Sequence, residues 1–230
     1  MKKRTLIALV AVGLVAGVQA ADQYMGNGVD NPISITGALD WNTTSNFWMS
    51  ANDGTGTYGT WVNGNNAILN GDSPILTVTE AISVGNVTRE ADSLVNDDGR
   101  ADYSTTGSGS LTVNGTFDNA WAGNSRQINF GAANSAANAM NWGGDIALGT
   151  GVNRFLLTSV QTIAAGSSIT ASAGNVVRLA TSESTDLGNL EVILNGGTLQ
   201  NWNAVAAADV TLGILTGSGS IDNNAAQTTT

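Results

Sequence analysis

The feature that most limits the fold is a short unit in which apolar and polar side chains alternate. It recurs as Ile75-Leu76-Thr77-Val78, Ile82-Ser83-Val84, Leu111-Thr112-Val113, Ile128-Asn129-Phe130, Ile146-Ala147-Leu148, Val177-Arg178-Leu179 and Val210-Thr211-Leu212. A period of two buries one side of an extended strand and leaves the other in water. Turn formers separate the units, among them Asn114-Gly115, Asn195-Gly196-Gly197 and Gly217-Ser218-Gly219. Helical periodicity is missing after residue 20; the Ala-rich span 201–215 is the best place for a short helical turn. The chain is expected to be all-β.

Several units recur at similar intervals: Leu111 to Ile128 is 17 residues, Ile128 to Ile146 is 18, and Leu190 to Val210 is 20. An imperfect repeat near twenty residues is what a parallel β-solenoid produces, each turn carrying two or three short strands. An antiparallel β-sandwich would give similar units and turns, and remains the alternative. On the solenoid reading, residues 75 to 222 form about seven turns in a rod of roughly 35 Å.

The first twenty residues have a different character. Lys2, Lys3 and Arg4 precede the uncharged apolar run from Leu6 to Val18, and Val18-Gln19-Ala20 follows. A basic start, an apolar middle and a small-residue end read as a secretory signal peptide cleaved after Ala20. The run is too short and too rich in Ala and Gly for a membrane span, so the mature chain is expected to have none.

Past Ala20 there are five Arg, no Lys, no His and no Cys, against eighteen Asp and Glu, a formal charge of −13. That balance speaks against nucleic acid, which needs a basic stripe, and against anionic lipid. An exported chain without disulfides must rely on a large core or a repetitive ladder. The lack of His removes the commonest acid/base group, and the lack of Cys and Lys removes two nucleophiles, which leaves paired-carboxylate chemistry as the formal possibility. Between Asp118 and Glu183 the single acid is Asp145. A non-enzymatic role is expected.

The segment Ala38-Leu39-Asp40-Trp41-Asn42-Thr43-Thr44-Ser45-Asn46-Phe47-Trp48 resembles the opening of proteins with autotransporter-associated β-strand repeats. Gly59-Thr60-Trp61-Val62-Asn63-Gly64-Asn65-Asn66-Ala67-Ile68-Leu69 and the later Asn195-Gly196-Gly197-Thr198-Leu199 and Gly217-Ser218-Gly219-Ser220-Ile221 are similar to elements of the same repeats. The resemblance covers most of 38–88 and 108–222. It implies a right-handed parallel β-helix, displayed on the outer-membrane surface or released outside a bacterial cell, with a structural or adhesive role. No barrel-forming translocator follows in this sequence, which departs from that pattern.

Two groups of residues invite sharper readings. Trp41, Trp48 and Trp61, with Phe47 and Tyr58, suit either an aromatic platform for a glycan or an apolar cap over the first solenoid turn; the cap is preferred, because solenoids need their ends covered. Asn96, Asp98 and Asp102 fit three ligand positions of a calcium loop, but Leu94 and Thr105 stand where the first and last ligands belong. A protruding polar loop is preferred there, with weak calcium binding as the only cofactor expectation.

The expected layout is a signal peptide at 1–20, a Trp-rich cap at 21–74, a β-solenoid at 75–222 and a polar tail or truncated turn at 223–230. The expected function is a secreted or surface-displayed structural or adhesive β-solenoid. The alternatives are a carbohydrate-binding module and a calcium-dependent polysaccharide-lyase-like β-helix. The partners expected are extracellular glycans or cell-surface components, together with end-to-end association of copies through an open strand edge.

Overall fold

The computed structural model describes residues 20–25, 38–51, 55–69, 75–89, 100–105, 109–119, 126–130, 140–149, 153–157, 161–179, 185–201 and 210–223. Among these residues the structure is all-β, without helix. The strands are β1 (Asp22–Tyr24), β2 (Ala38–Trp41), β3 (Asn46–Met49), β4 (Tyr58–Thr60), β5 (Asn66–Leu69), β6 (Ile75–Val78), β7 (Ala81–Val84), β8 (Val87–Arg89), β9 (Arg100–Thr105) and β10 (Ser110–Val113). They continue with β11 (Phe117–Asn119), β12 (Arg126–Phe130), β13 (Met140–Trp142), β14 (Ile146–Ala147), β15 (Asn153–Leu157), β16 (Gln161–Ile163), β17 (Ser168–Ser172), β18 (Val176–Leu179), β19 (Thr185–Asn201) and β20 (Val210–Asn223).

Pairing among the described strands is parallel almost throughout. A first ladder runs β1-β5-β8-β11-β14-β17 and into the middle of β19 and β20. A second runs β2-β6-β9-β12-β15-β18 and into the last parts of β19 and β20. A third, smaller sheet runs β7-β10-β13-β16. Antiparallel pairing is confined to β1 with β3 and β3 with β4. The antiparallel sandwich is thus excluded from residue 75 onward, because consecutive rungs point the same way. The first ladder also reaches back to Asp22.

The registers correct the sequence-based pairing. Leu111 pairs with Met140, Ile128 with Phe155 and Ile146 with Ile169, at intervals of 29, 27 and 23 residues. The intervals of 17 and 18 connect units on different ladders. Along the second ladder Tyr103, Phe130 and Leu157 are 27 apart, and Leu157, Leu179, Asn201 and Asn223 are 22 apart. Of the candidate helical turn, Asn201 ends β19 and residues 210–215 open β20; 202–209 lie outside the described residues.

Alternation drives the packing as the period predicts. Val87, Phe117, Ile146, Ile169 and Val192 follow one another in register and are all buried. So are Ile82, Leu111 and Met140 of the third sheet, and Phe155, Val177 and Leu199 of the second ladder. These rows meet in one apolar cluster that also takes in the N-terminal tryptophans. Corners are tight where Gly occupies the left-handed region, as at Gly166 (φ +86°) and Gly196 (φ +87°).

Candidate functional site

Trp41 ends β2, Trp48 lies in β3, and Trp61 follows β4. The antiparallel pair β3–β4 folds them onto one another: ring centroids are 5.0 Å apart for Trp41–Trp48, 5.2 Å for Trp41–Trp61 and 4.6 Å for Trp48–Trp61. Phe47 joins at 5.3 Å from Trp48. Exposure is 0% for Trp41 and Trp48 and 2% for Trp61. Rings so placed have no face to offer a glycan, since sugar stacking needs an accessible π-surface. The three side chains bury apolar area at the N-terminal end instead. Trp61 donates its indole N–H to Asn63 Oδ1 and to the Ser83 carbonyl, whereas the Trp41 and Trp48 indoles have no acceptor among the described residues.

The calcium candidates are not brought together by described structure. Asn96 and Asp98 lie outside the described residues. Asp102 sits in β9 opposite Ile75 and Asn129, and its side chain also lies outside what is described. Among the described residues no three His, Cys, Asp or Glu side chains group as a metal set.

Two ladders of polar side chains, missed by the sequence reading, link successive rungs. On the first ladder, Asn66 Nδ2 donates to Asp22 Oδ1 at 2.8 Å, and Asn86 N–H donates to Asn66 Oδ1 at 2.9 Å. Thr116 N–H donates in turn to Asn86 Oδ1 at 2.9 Å, and Ser168 N–H to Asp145 Oδ1 at 2.9 Å. The Asn66, Asn86 and Asp145 oxygens each satisfy a backbone donor on the following rung, where the strand begins and regular pairing is incomplete.

On the second ladder, Arg178 Nε donates to Gln200 Oε1 at 2.6 Å and Gln200 Nε2 to Asp222 Oδ2 at 2.7 Å. Partial burial lowers the Arg178 pKa, repulsion from Arg154 lowers it further, and attraction to Asp222 opposes both. The signal for this ladder was in the sequence: Arg178, Gln200 and Asp222 are each 22 residues apart, inside Val177-Arg178-Leu179, Leu199-Gln200-Asn201 and Ile221-Asp222-Asn223.

A shallow polar hollow of about 200 Å³ is lined by Thr162, Ile163, Asp186, Gly188 and Asn189. Its polar groups are already engaged internally: Gly188 N–H donates to Asp186 Oδ1, and Asn189 Nδ2 donates to the Ile163 carbonyl. The chain matches no protein-family model, no curated protein and no solved structure.

Proposed function

We propose that the chain is a right-handed parallel β-solenoid, exported by residues 1–20, that serves as a structural or adhesive element at the bacterial cell surface or beyond it. The observation that carries this reading is the sense and spacing of pairing. From β5 and β6 onward, three ladders advance by one parallel rung every 20 to 30 residues, in step with one another. From Ala81 to Asn223 that amounts to about six turns, a rod of roughly 29 Å at the spacing between paired strands.

A chain wound this way needs no disulfide. Each rung is held by ladder hydrogen bonds to the next and by stacked apolar rows, so stability is distributed along the axis. Asx and Ser/Thr side chains at the rung starts do locally what disulfides do in smaller exported folds. The paired-Trp opening and Gly-rich repeats, which resemble those of autotransporter-associated β-strand proteins, support the same role. The exposed edge of β20, the last described strand, is where end-to-end contact between copies would begin.

The test joins export to register. Expressed with its own N-terminus in a bacterial host, the chain is expected outside the cytoplasm, starting at Ala21 by N-terminal sequencing. Thr112 and Asn141 are register partners, so Thr112→Cys with Asn141→Cys in this cysteine-free chain should form an intrachain disulfide without loss of thermal stability. Retention of residues 1–20 would overturn the export reading, and failure to cross-link would overturn the winding.

A further inference from the structure

The arginines of the mature chain are unevenly placed. Arg89 ends β8 and is buried. Arg100, Arg126, Arg154 and Arg178 fall on β9, β12, β15 and β18, four consecutive strands of the second ladder. Arg100 and Arg154 hold the same register position, each opposite Gln127, two rungs apart. Arg178 lies one rung past Arg154 and two residues further along its strand, because Arg154 pairs with Val176. Arg154 is exposed and close enough to Arg178 for the two to repel. Asp40, Asp102 and Asp222 are the acids placed on the same ladder.

Acids collect on the first ladder, with Asp118 and Asp145 exposed and Glu191 half-buried. Asp145 and Glu191 hold one register position, two rungs apart, because Asp145 stands opposite Ser168 and Ser168 opposite Glu191. Asp118 lies one rung before Asp145 and two residues further along, because Thr116 stands opposite Asp145. The acids therefore repeat the offsets of the arginines with the axis reversed. Reading Arg178, Arg154, Arg100 down the second ladder gives the same steps as Asp118, Asp145, Glu191 up the first.

Two faces pressed together see each other as mirror images. A pattern matches its partner across such a contact when one in-plane axis is inverted and the other kept, which is the relation between these two sets. We propose that the second ladder's outer face binds the first ladder's outer face of a second copy, with the long axes antiparallel. Arg178 meets Asp118, Arg154 meets Asp145, and the Arg100 position falls opposite Glu191. In that alignment the Leu156 position, beside Arg178 by register, falls opposite Ala147, Asp222 falls opposite Ile68, and no two acids oppose one another. The contact is heterologous, so each copy keeps one face free and lateral arrays grow. This inference rests on the solenoid reading, since both faces must wind about one axis.

Charge complementarity favours a copy of this chain over an acidic polymer, because the complement to the arginine pattern stands on the chain itself. Screening sets the window for detection. At about 0.1 M salt the Debye length is roughly 10 Å, so the repulsion of a −13 chain is damped while paired side chains still attract; at about 1 M it falls to about 3 Å.

The test is light scattering and sedimentation of the mature chain. The weight-average mass is expected to rise with protein concentration at the lower salt and to return to the monomer at the higher. Arg154→Glu with Arg178→Glu should abolish the rise, as should Asp118→Arg with Asp145→Arg, while mixing the two variants should restore it. Leu215→Lys, which places a charge on the exposed β20 edge, should leave it unchanged. A monomeric parent, self-association in both charge variants, a silent mixture or loss in Leu215→Lys alone would each overturn the proposal. So would a monomeric parent that binds polygalacturonate through the arginines. Disulfide formation in the double variant Thr112→Cys, Asn141→Cys separates a failed interface from a failed fold.

Discussion

The two ends of the ladder begin from similar material and finish differently. At the N-terminal end, β1 pairs with β5 on one side and with the antiparallel β3 on the other, and β4 adds to β3. Under that flap Met25, Trp41, Trp48, Met49 and Trp61 are buried. At the C-terminal end, β20 pairs with β19 along its length. Leu215 and Ile221 stand in register with the buried Val192 and Leu199, yet they are 41% and 68% exposed, and Ile214 is 57% exposed. An apolar residue in a ladder of this kind is buried by the rung beyond it. Position within the strand chooses the side, and the next rung supplies the cover.

The sharpest way to break this comparison is to truncate one residue at each end. Trp48→Ala removes one of three clustered tryptophans from contact with Trp41, Trp61 and Phe47. It is expected to cost about 3–5 kcal/mol in denaturant unfolding. Ile221→Ala should change stability by less than about 0.5 kcal/mol, because the side chain is largely in water. Equal losses would mean that the C-terminal face is covered in solution.

A smaller effect separates rungs with a neighbour from strands without one. A Cβ added at Gly143 would lie 2.6 Å from the Asn114 carbonyl oxygen of the preceding rung, and backbone cannot step aside cheaply. Gly143→Ala should cost about 1–3 kcal/mol through overpacking. At Gly59, in edge strand β4, the nearest atom is the Trp48 oxygen at 3.9 Å. Gly59→Ala should be neutral or stabilising by about 0.5 kcal/mol, since Ala loses less backbone entropy on folding. Melting curves of the two variants make the comparison, and a destabilised Gly59→Ala would show that β4 is packed on both sides.

The alternation that defines the strands is fully legible in the sequence, because a period of two needs only the polarity of neighbours. Repetition favours the parallel sense but does not fix it. Sequence intervals misassign the pairing, because every unit looks alike: Leu111 and Ile128 are as similar as Leu111 and Met140. The choice between them is made by the length of the corner segments, ten residues between β8 and β9 but two between β7 and β8. The tryptophans are legible as a cluster. Their burial is not, since platform and cap demand the same residues. The 22-residue ladder from Arg178 to Asp222 emerges when its three alternating triplets are aligned on their polar centres.

The smallest effect concerns a tie between rungs near the closed end. Asn42 Oδ1 accepts from Thr44 N–H and Ser45 N–H to shape the turn after β2, and Thr43 N–H of that turn donates to Glu80 in the turn after β6. Hydrogen bonds from the Thr43 side chain and then its backbone N–H hold the Glu80 carboxyl below its usual pKa, against a weaker opposing effect of desolvation. A carboxyl whose folded pKa is depressed adds stability above its unfolded pKa and loses it as pH falls through the folded one. The parent should therefore melt slightly higher than Glu80→Gln at neutral pH, and the gap should close as pH drops below the ordinary glutamate value of about 4.3. The difference between the two curves isolates this group from the other acids, which titrate in both proteins. A gap that persists into acid would mean that Glu80 contributes through shape rather than charge.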